Sequence, residues 1–155
     1  MFLLNILLAI AWVALTGEFN AGNFIIGFVI VYILLALTRP SEGARAYTAQ
    51  VRAILSFSLF FLKELVLSSL RVTVQVLSPT LDMQPAVVAV PLDIRSDAGI
   101  TLLGNLITLT PGTLTLEVAE DRSQIFVHAM HVDDVEAFRQ EIKDGFERRI
   151  LEVMA

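Results

Sequence analysis

No cysteine occurs in the 155 residues, which removes disulfide frameworks and thiolate metal sites from consideration. Charge is missing from two long stretches. Neither Phe2–Leu15 nor Phe24–Leu37 contains Asp, Glu, Lys or Arg, and no Lys or Arg precedes Arg39. A cleaved signal peptide needs a basic start and a small-residue cleavage site, so the first run is expected to stay in the protein. Basic residues are also scarce in the second half, where residues 81–155 hold six Lys/Arg against thirteen Asp/Glu. A nucleic-acid surface wants a basic stripe, so nucleic acid is a poor partner.

Apolar residues are abundant instead: 55% of the chain is hydrophobic and mean hydropathy is +0.72, more than a soluble domain of this size needs. Residues 2–16 read as a first membrane helix, with Trp12 toward one end where an aromatic belt would place it. At ~1.5 Å per residue its ~24 Å is short against a hydrocarbon core of ~30 Å. A turn over Thr16–Asn23 leads to a second helix at 22–38, and Gly22 and Gly27 would let the two approach as a hairpin. Arg39, Arg45 and Arg52 follow, which places that linker, and with it the N-terminus, on the cytoplasmic side by the positive-inside rule.

Residues 48–78 form a long helical stretch. Arg52, Ser56, Lys63, Arg71, Gln75 and Ser78 fall largely on one face, interrupted by Phe60. The apolar side chains of Ile54–Val72 are worth roughly −0.5 kcal/mol each, whereas Lys63 and Glu64 cost roughly +3 each at a bilayer centre. The sums nearly cancel, which predicts an amphipathic helix at the interface or against a partner subunit, with a third span as the alternative. Neighbouring side chains point apart on a helix, and the residues four beyond Lys63 and Glu64 are Leu67 and Ser68. Neither charge is therefore expected to find a partner in its own helix. The membrane region is expected to be 1–78, with a cytoplasmic α+β domain at 79–155.

Pro79 and Pro85 end the long helix. Ala86–Asp93 is a continuous apolar run, suited to a strand covered on both faces. A helix follows, capped by Ser96 or Asp97, until Thr110-Pro111-Gly112-Thr113 turns the chain. Leu114, Leu116 and Val118 then alternate as a strand. A hairpin joins Thr113–Ala119 to Gln124–Met130, and Asp133 or Asp134 caps a last helix with an apolar stripe at Val135, Phe138, Ile142, Phe146, Ile150 and Met154. The order β-α-β-β-α predicts a ferredoxin-like split sheet lacking its last strand, with the third strand between the first two.

Val-Pro-Leu-Asp (90–93), Gly-Ile-Thr-Leu-Leu-Gly-Asn-Leu-Ile-Thr-Leu-Thr-Pro-Gly-Thr-Leu-Thr-Leu (99–116), Val-His-Ala (127–129) and Gly-Phe-Glu-Arg-Arg-Ile (145–150) resemble the E-type subunit of the multisubunit Mrp/Mnh-type Na+/H+ antiporters. The resemblance covers nearly the whole chain, and its specific part is the Asn-Leu-Ile-Thr-Leu-Thr-Pro-Gly-Thr word. It implies an auxiliary or assembly subunit in the cell membrane, partnered by the other subunits and by lipid, with antiport carried mainly by larger chains. The interaction candidates are Lys63, Glu64, Arg71, Asn105, Thr110, Pro111, Gly112, Thr113, Arg148 and Arg149.

Chemistry of its own is not indicated. His128 and His131 beside Asp133 and Asp134 invite a metal reading, but strand residues three apart face opposite sides unless the strand ends between them. No Gly-x-Ser-x-Gly elbow precedes a helix. Glu147-Arg148-Arg149 near the final helix terminus suits a solvated face. No enzyme class, metal or cofactor is expected. The competing class is a membrane-anchored module for a small molecule or metal.

Overall fold

The computed structural model describes residues 1–37, 42–78 and 83–154; Arg39, Pro40 and Pro79 lie outside them. The chain divides into two compact units, Met1–Arg52 and Ala53–Ala155.

In the first unit, α1 (Phe2–Thr16) and α2 (Ala21–Leu37) form the expected hairpin, and α3 (Glu42–Leu77) begins within it. Gly17 ends α1 at φ 72°, a left-handed position that suits glycine. Gly27 is the close-approach glycine, because a Cβ there would stand 2.8 Å from Trp12 Cδ1. Gly22 has no such role, since a Cβ would meet only Asn20. The turn is shorter than expected: α2 starts at Ala21 and takes Asn23 into the helix. Asn23 accepts a hydrogen bond from Trp12 Nε1 at 3.0 Å and donates to the Glu18 carbonyl at 2.9 Å. Asn5, fully buried, donates to the Tyr47 hydroxyl at 2.9 Å. Polar side chains thus pair within this unit, Trp12 with Asn23 across the hairpin and Asn5 with Tyr47 of α3, as an apolar setting requires.

In the second unit, β1 (Ala86–Pro91), α4 (Asp97–Leu109), β2 (Thr113–Val118) and β3 (Gln124–Ala129) build a three-stranded antiparallel sheet in the order β1-β3-β2, with β3 central as expected. The last helix runs as α5 (Val135–Glu141), a π-helical segment (Ile142–Glu147) and α6 (Arg148–Met154). Val88, Val90, Ile125 and Val127 meet Leu103, Ile107, Phe146 and Ile150 in one core.

Two expectations need correction, on β1 and on the last helix, and the facing of β2 is a further finding. β1 is an edge strand covered on one face only: Val87 is 58% exposed, and Pro91, which lacks a donor, is tolerated at such an edge. In β2 the leucines face outward and the threonines inward. A bulge between Thr115 and Glu117 breaks the alternation, while Leu114 and Leu116 are exposed. The apolar stripe of the last helix fails at both ends, where Val135 and Met154 are exposed. The π segment adds Glu147 to the buried face instead.

Candidate functional site

Threonine hydroxyls fix the turn that ends α4. Thr113 Oγ1 donates to the carbonyls of Ile107 (2.6 Å) and Thr110 (2.9 Å), and Thr115 Oγ1 donates to Gly104 O at 3.0 Å. One of the last four carbonyls of the helix, that of Ile107, is thereby bonded from the next strand. Gly112 sits at φ +90°, where a Cβ would be strained and would meet Val72 at 3.2 Å. Its carbonyl accepts from Met130 N at 2.9 Å, which joins the turn to the end of β3.

This turn is one wall of a cavity of about 380 Å3. Along the part of α3 in this unit, Phe57, Phe60 and Phe61 pack against the core, and Glu64, Ser68 and Arg71 continue the face along the cavity. Ile107, Phe138, Ile142 and Phe146 give it apolar lining, and His131, Asp133, Asp134 and Glu141 contribute polar atoms. The volume lies within the ~300–1,000 Å3 range of ligand sites.

Its electrostatics are acidic, with Glu64, Asp133, Asp134 and Glu141 against Arg71 alone. Arg71 reaches Glu64 at 3.5 Å and Glu141 at 4.0 Å, both long for an ion pair, and is 61% exposed. Glu64 therefore does find a partner in its own helix, seven residues on rather than four. Lys63 is exposed and has no ion pair among the described residues. His131 Nε2 lies 2.9 Å from Asp133 Oδ1, while its Nδ1 is buried without a partner among the described residues. Asp134 caps α5 by accepting from the backbone N–H groups of Ala137 and Glu136, and those bonds hold its pKa below the usual 3.8.

β3 ends at Ala129, between His128 and His131, yet the two histidines serve different surroundings. His128 lies opposite Val87 and Leu114 on the open sheet face. No group of three or more metal-capable side chains exists among the described residues. Asn105 and Arg148 are exposed and do not line the cavity. Phe60, expected to interrupt the polar face of α3, anchors it: its ring meets Phe146 edge-on at 5.5 Å, and the Arg149 guanidinium sits 4.3 Å above it.

Glu147 departs furthest from expectation. It is buried, not solvated: Oε1 accepts from the backbone N–H groups of Asp93 (2.6 Å) and Ile94 (3.0 Å), and Oε2 is 3.1 Å from Lys143 Nζ. Lys143 also donates to Pro91 O and Asp93 Oδ2, each at 2.9 Å. Burial opposes the Lys143 charge, but hydrogen bonds to Asp93 and Glu147 outweigh it and raise the pKa above 10.5. The i→i+5 closure of the π turn carries Glu147 back over Ile142. A glutamate beside two arginines carries no sign of this in the sequence.

The model of a Na+/H+ ion antiporter subunit family, MNHE, matches residues 5–153. The chain belongs to this family. It is 38% identical over 151 residues to the E-type Na(+)/H(+) antiporter subunit of Alkalihalophilus pseudofirmus, covering 97% of this chain and 96% of that one. The corresponding Bacillus subtilis antiporter subunit is 36% identical over the same coverage of each. Among solved structures, a chain of the Mrp complex from Dietzia sp. matches with TM-score 0.52 and 31% identity, over 66% of this chain and 96% of that chain. A chain of the membrane-bound sulfane sulfur reductase, an archaeal respiratory membrane complex, matches with TM-score 0.57 and 27% identity over 96% of both. The Thr-Pro-Gly-Thr turn that carried the resemblance is thus also a wall of the acidic cavity.

Proposed function

We propose that the chain is an auxiliary, assembling subunit of a multisubunit Na+/H+ antiporter in the cell membrane, and that it carries no ion path of its own. The observation that carries this reading is the makeup of α1 and α2: Trp12 bonds Asn23 between them, Asn5 bonds the Tyr47 hydroxyl of α3, and neither helix offers a carboxylate, Lys, Arg or His. An ion route needs ionisable groups inside the membrane. The other subunits and membrane lipid are its partners, nucleic acid is not, and the chain is not an enzyme.

The working division is a membrane region at 1–78 and a cytoplasmic domain at 79–155, the latter a ferredoxin-like split sheet without its last strand. α1 and α2 cross the membrane with the N-terminus inside. In α3, Phe57, Phe60 and Phe61 pack against the α+β core while Leu55, Leu59, Leu62, Val66 and Leu70 are exposed, which favours a helix lying at the interface. The span reading has an observation of its own, since α3 is both long and apolar enough to cross, whereas α1 and α2 are apolar but shorter and cross where the bilayer thins around them. Lys63 then meets a lipid headgroup or a neighbouring chain.

Purification of the tagged chain in mild detergent, with mass spectrometry of what accompanies it, tests the subunit reading. Several other membrane chains of one complex should be recovered in fixed proportion; a chain that purifies alone would refute it. For orientation, Glu120→Cys in the β2–β3 hairpin should resist an impermeant thiol reagent outside intact cells. Labelling there would reverse the orientation and favour the span.

A further inference from the structure

The cavity between α3, the Thr-Pro-Gly-Thr turn and α5 has no role in the proposed function, and its chemistry is one-sided. We propose that it is the socket for a segment of a neighbouring subunit that inserts an apolar side chain next to a Lys or Arg. This rests on the chain being a subunit of a larger complex and names the place where one partner seats.

Charge complementarity selects the occupant. Among the described residues four carboxylates and one guanidinium border the cavity, so an anionic segment would be repelled and a basic one drawn in. Arg71 does not satisfy the carboxylates it faces: at 3.5 Å from Glu64 and 4.0 Å from Glu141, and largely exposed, it spans the two without closing on either. An incoming ammonium or guanidinium can therefore pair with Glu141 while Arg71 closes on Glu64. His131 points to a donor as well. With Nε2–H donating to Asp133, Nδ1 is a buried lone pair with nothing to accept from, and a basic side chain brings N–H groups. The apolar lining from Ile107, Ile142 and Phe146 accounts for the apolar residue beside that base. An apolar anchor in a desolvated pocket with charges at its edge is how interfaces concentrate their affinity.

The test is made in the assembled complex. Ala137, exposed on α5 and bordering the cavity, is replaced by Trp to fill it and by Ser as a control, and Glu141→Lys reverses the charge. The co-purified subunits are quantified against the tagged chain. Ala137→Trp and Glu141→Lys should each lower recovery at least fivefold, and Ala137→Ser should leave it unchanged. Hydrogen exchange of β3 in the Trp variant reports whether the domain still folds; if it does not, Glu141→Lys decides. A photoreactive benzoylphenylalanine at position 137 should cross-link to a Lys- or Arg-containing peptide of another subunit. Wild-type recovery with a filled or charge-reversed cavity overturns the proposal, as does a cross-link to lipid or to this chain alone. If the wild-type chain itself brings down no other subunit, the subunit reading falls first and the socket falls with it.

Discussion

Replacing Glu147 by Ala should loosen the end of β1 more than any surface change in this domain. The substitution leaves the backbone N–H groups of Asp93 and Ile94 without their acceptor, and an orphaned buried donor costs about 1–3 kcal/mol. Lys143, only 23% exposed, loses one carboxylate but keeps Asp93 and the Pro91 carbonyl. Together these give about 3–4 kcal/mol, close to the usual cost of breaking a buried pair. Glu147→Gln keeps one acceptor oxygen but turns an amide N–H2 toward the ammonium, so about 2 kcal/mol is expected. Hydrogen exchange of the full-length chain in detergent reads this directly. Every ~1.4 kcal/mol is tenfold, so amides at 92–95 should open roughly 150- to 700-fold faster in Glu147→Ala. Peptides from α1 and α2 should be unaffected. Exchange at 92–95 within threefold of wild type would show that the carboxylate does not hold this segment, and the argument from burial would fail.

Three further outcomes follow from named contacts. Gly27→Leu drives a side chain into the space of Trp12 and should cost about 1–3 kcal/mol by overpacking; the emission of this one tryptophan should shift, and an unchanged spectrum would count against the close approach. Because the folded-state pKa of Lys143 is raised, its contribution is complete below 10.5 and lost as pH climbs through the folded value, whereas that of Asp134, depressed below 3.8, is lost as pH falls through its own. Melting temperature should thus drop more steeply above pH 10.5 in wild type than in Lys143→Met, and equal slopes would contradict this. Lys63→Leu should lower the amount of complex recovered two- to threefold while the complex that forms keeps its exchange rate; full recovery with exchange abolished would place Lys63 on a conduction path.

The pattern-bearing parts of this chain are legible in its sequence and the exceptions are not. Uninterrupted apolar runs mark α1 and α2, and Pro111-Gly112 marks the turn, because both signals are local. The strand order follows from β-α-β-β-α connectivity, which leaves few alternatives. The facing of β2 escapes a pattern of alternation because alternation assumes an unbroken strand: a bulge at Leu116 shifts the phase, and Thr113 and Thr115 turn inward to bond α4. Phe60 looks like a flaw in a polar face because its partners, Phe146 and Arg149, stand more than eighty residues away. Glu64 looks solitary at a spacing of four because its partner Arg71 lies one helical turn further on. No periodicity reveals such long-range pairings.

The π segment also makes the length of the last helix matter as much as its composition. An α-helix turns about 100° per residue, and a π turn absorbs one extra residue without advancing the face that follows it. Ile142, before the surplus residue, and Ile150, after it, reach the same core because the π turn absorbs that residue. Regular winding with every residue kept would swing α6 by about a quarter turn, whereas deleting one residue from the segment would restore regular winding with α6 on its present face. In the swung arrangement Ile150 would leave the core and Arg149 would slide off Phe60. The segment is therefore where this helix can lose a single residue and keep its face, while a loss elsewhere along α5 or α6 would turn everything beyond it.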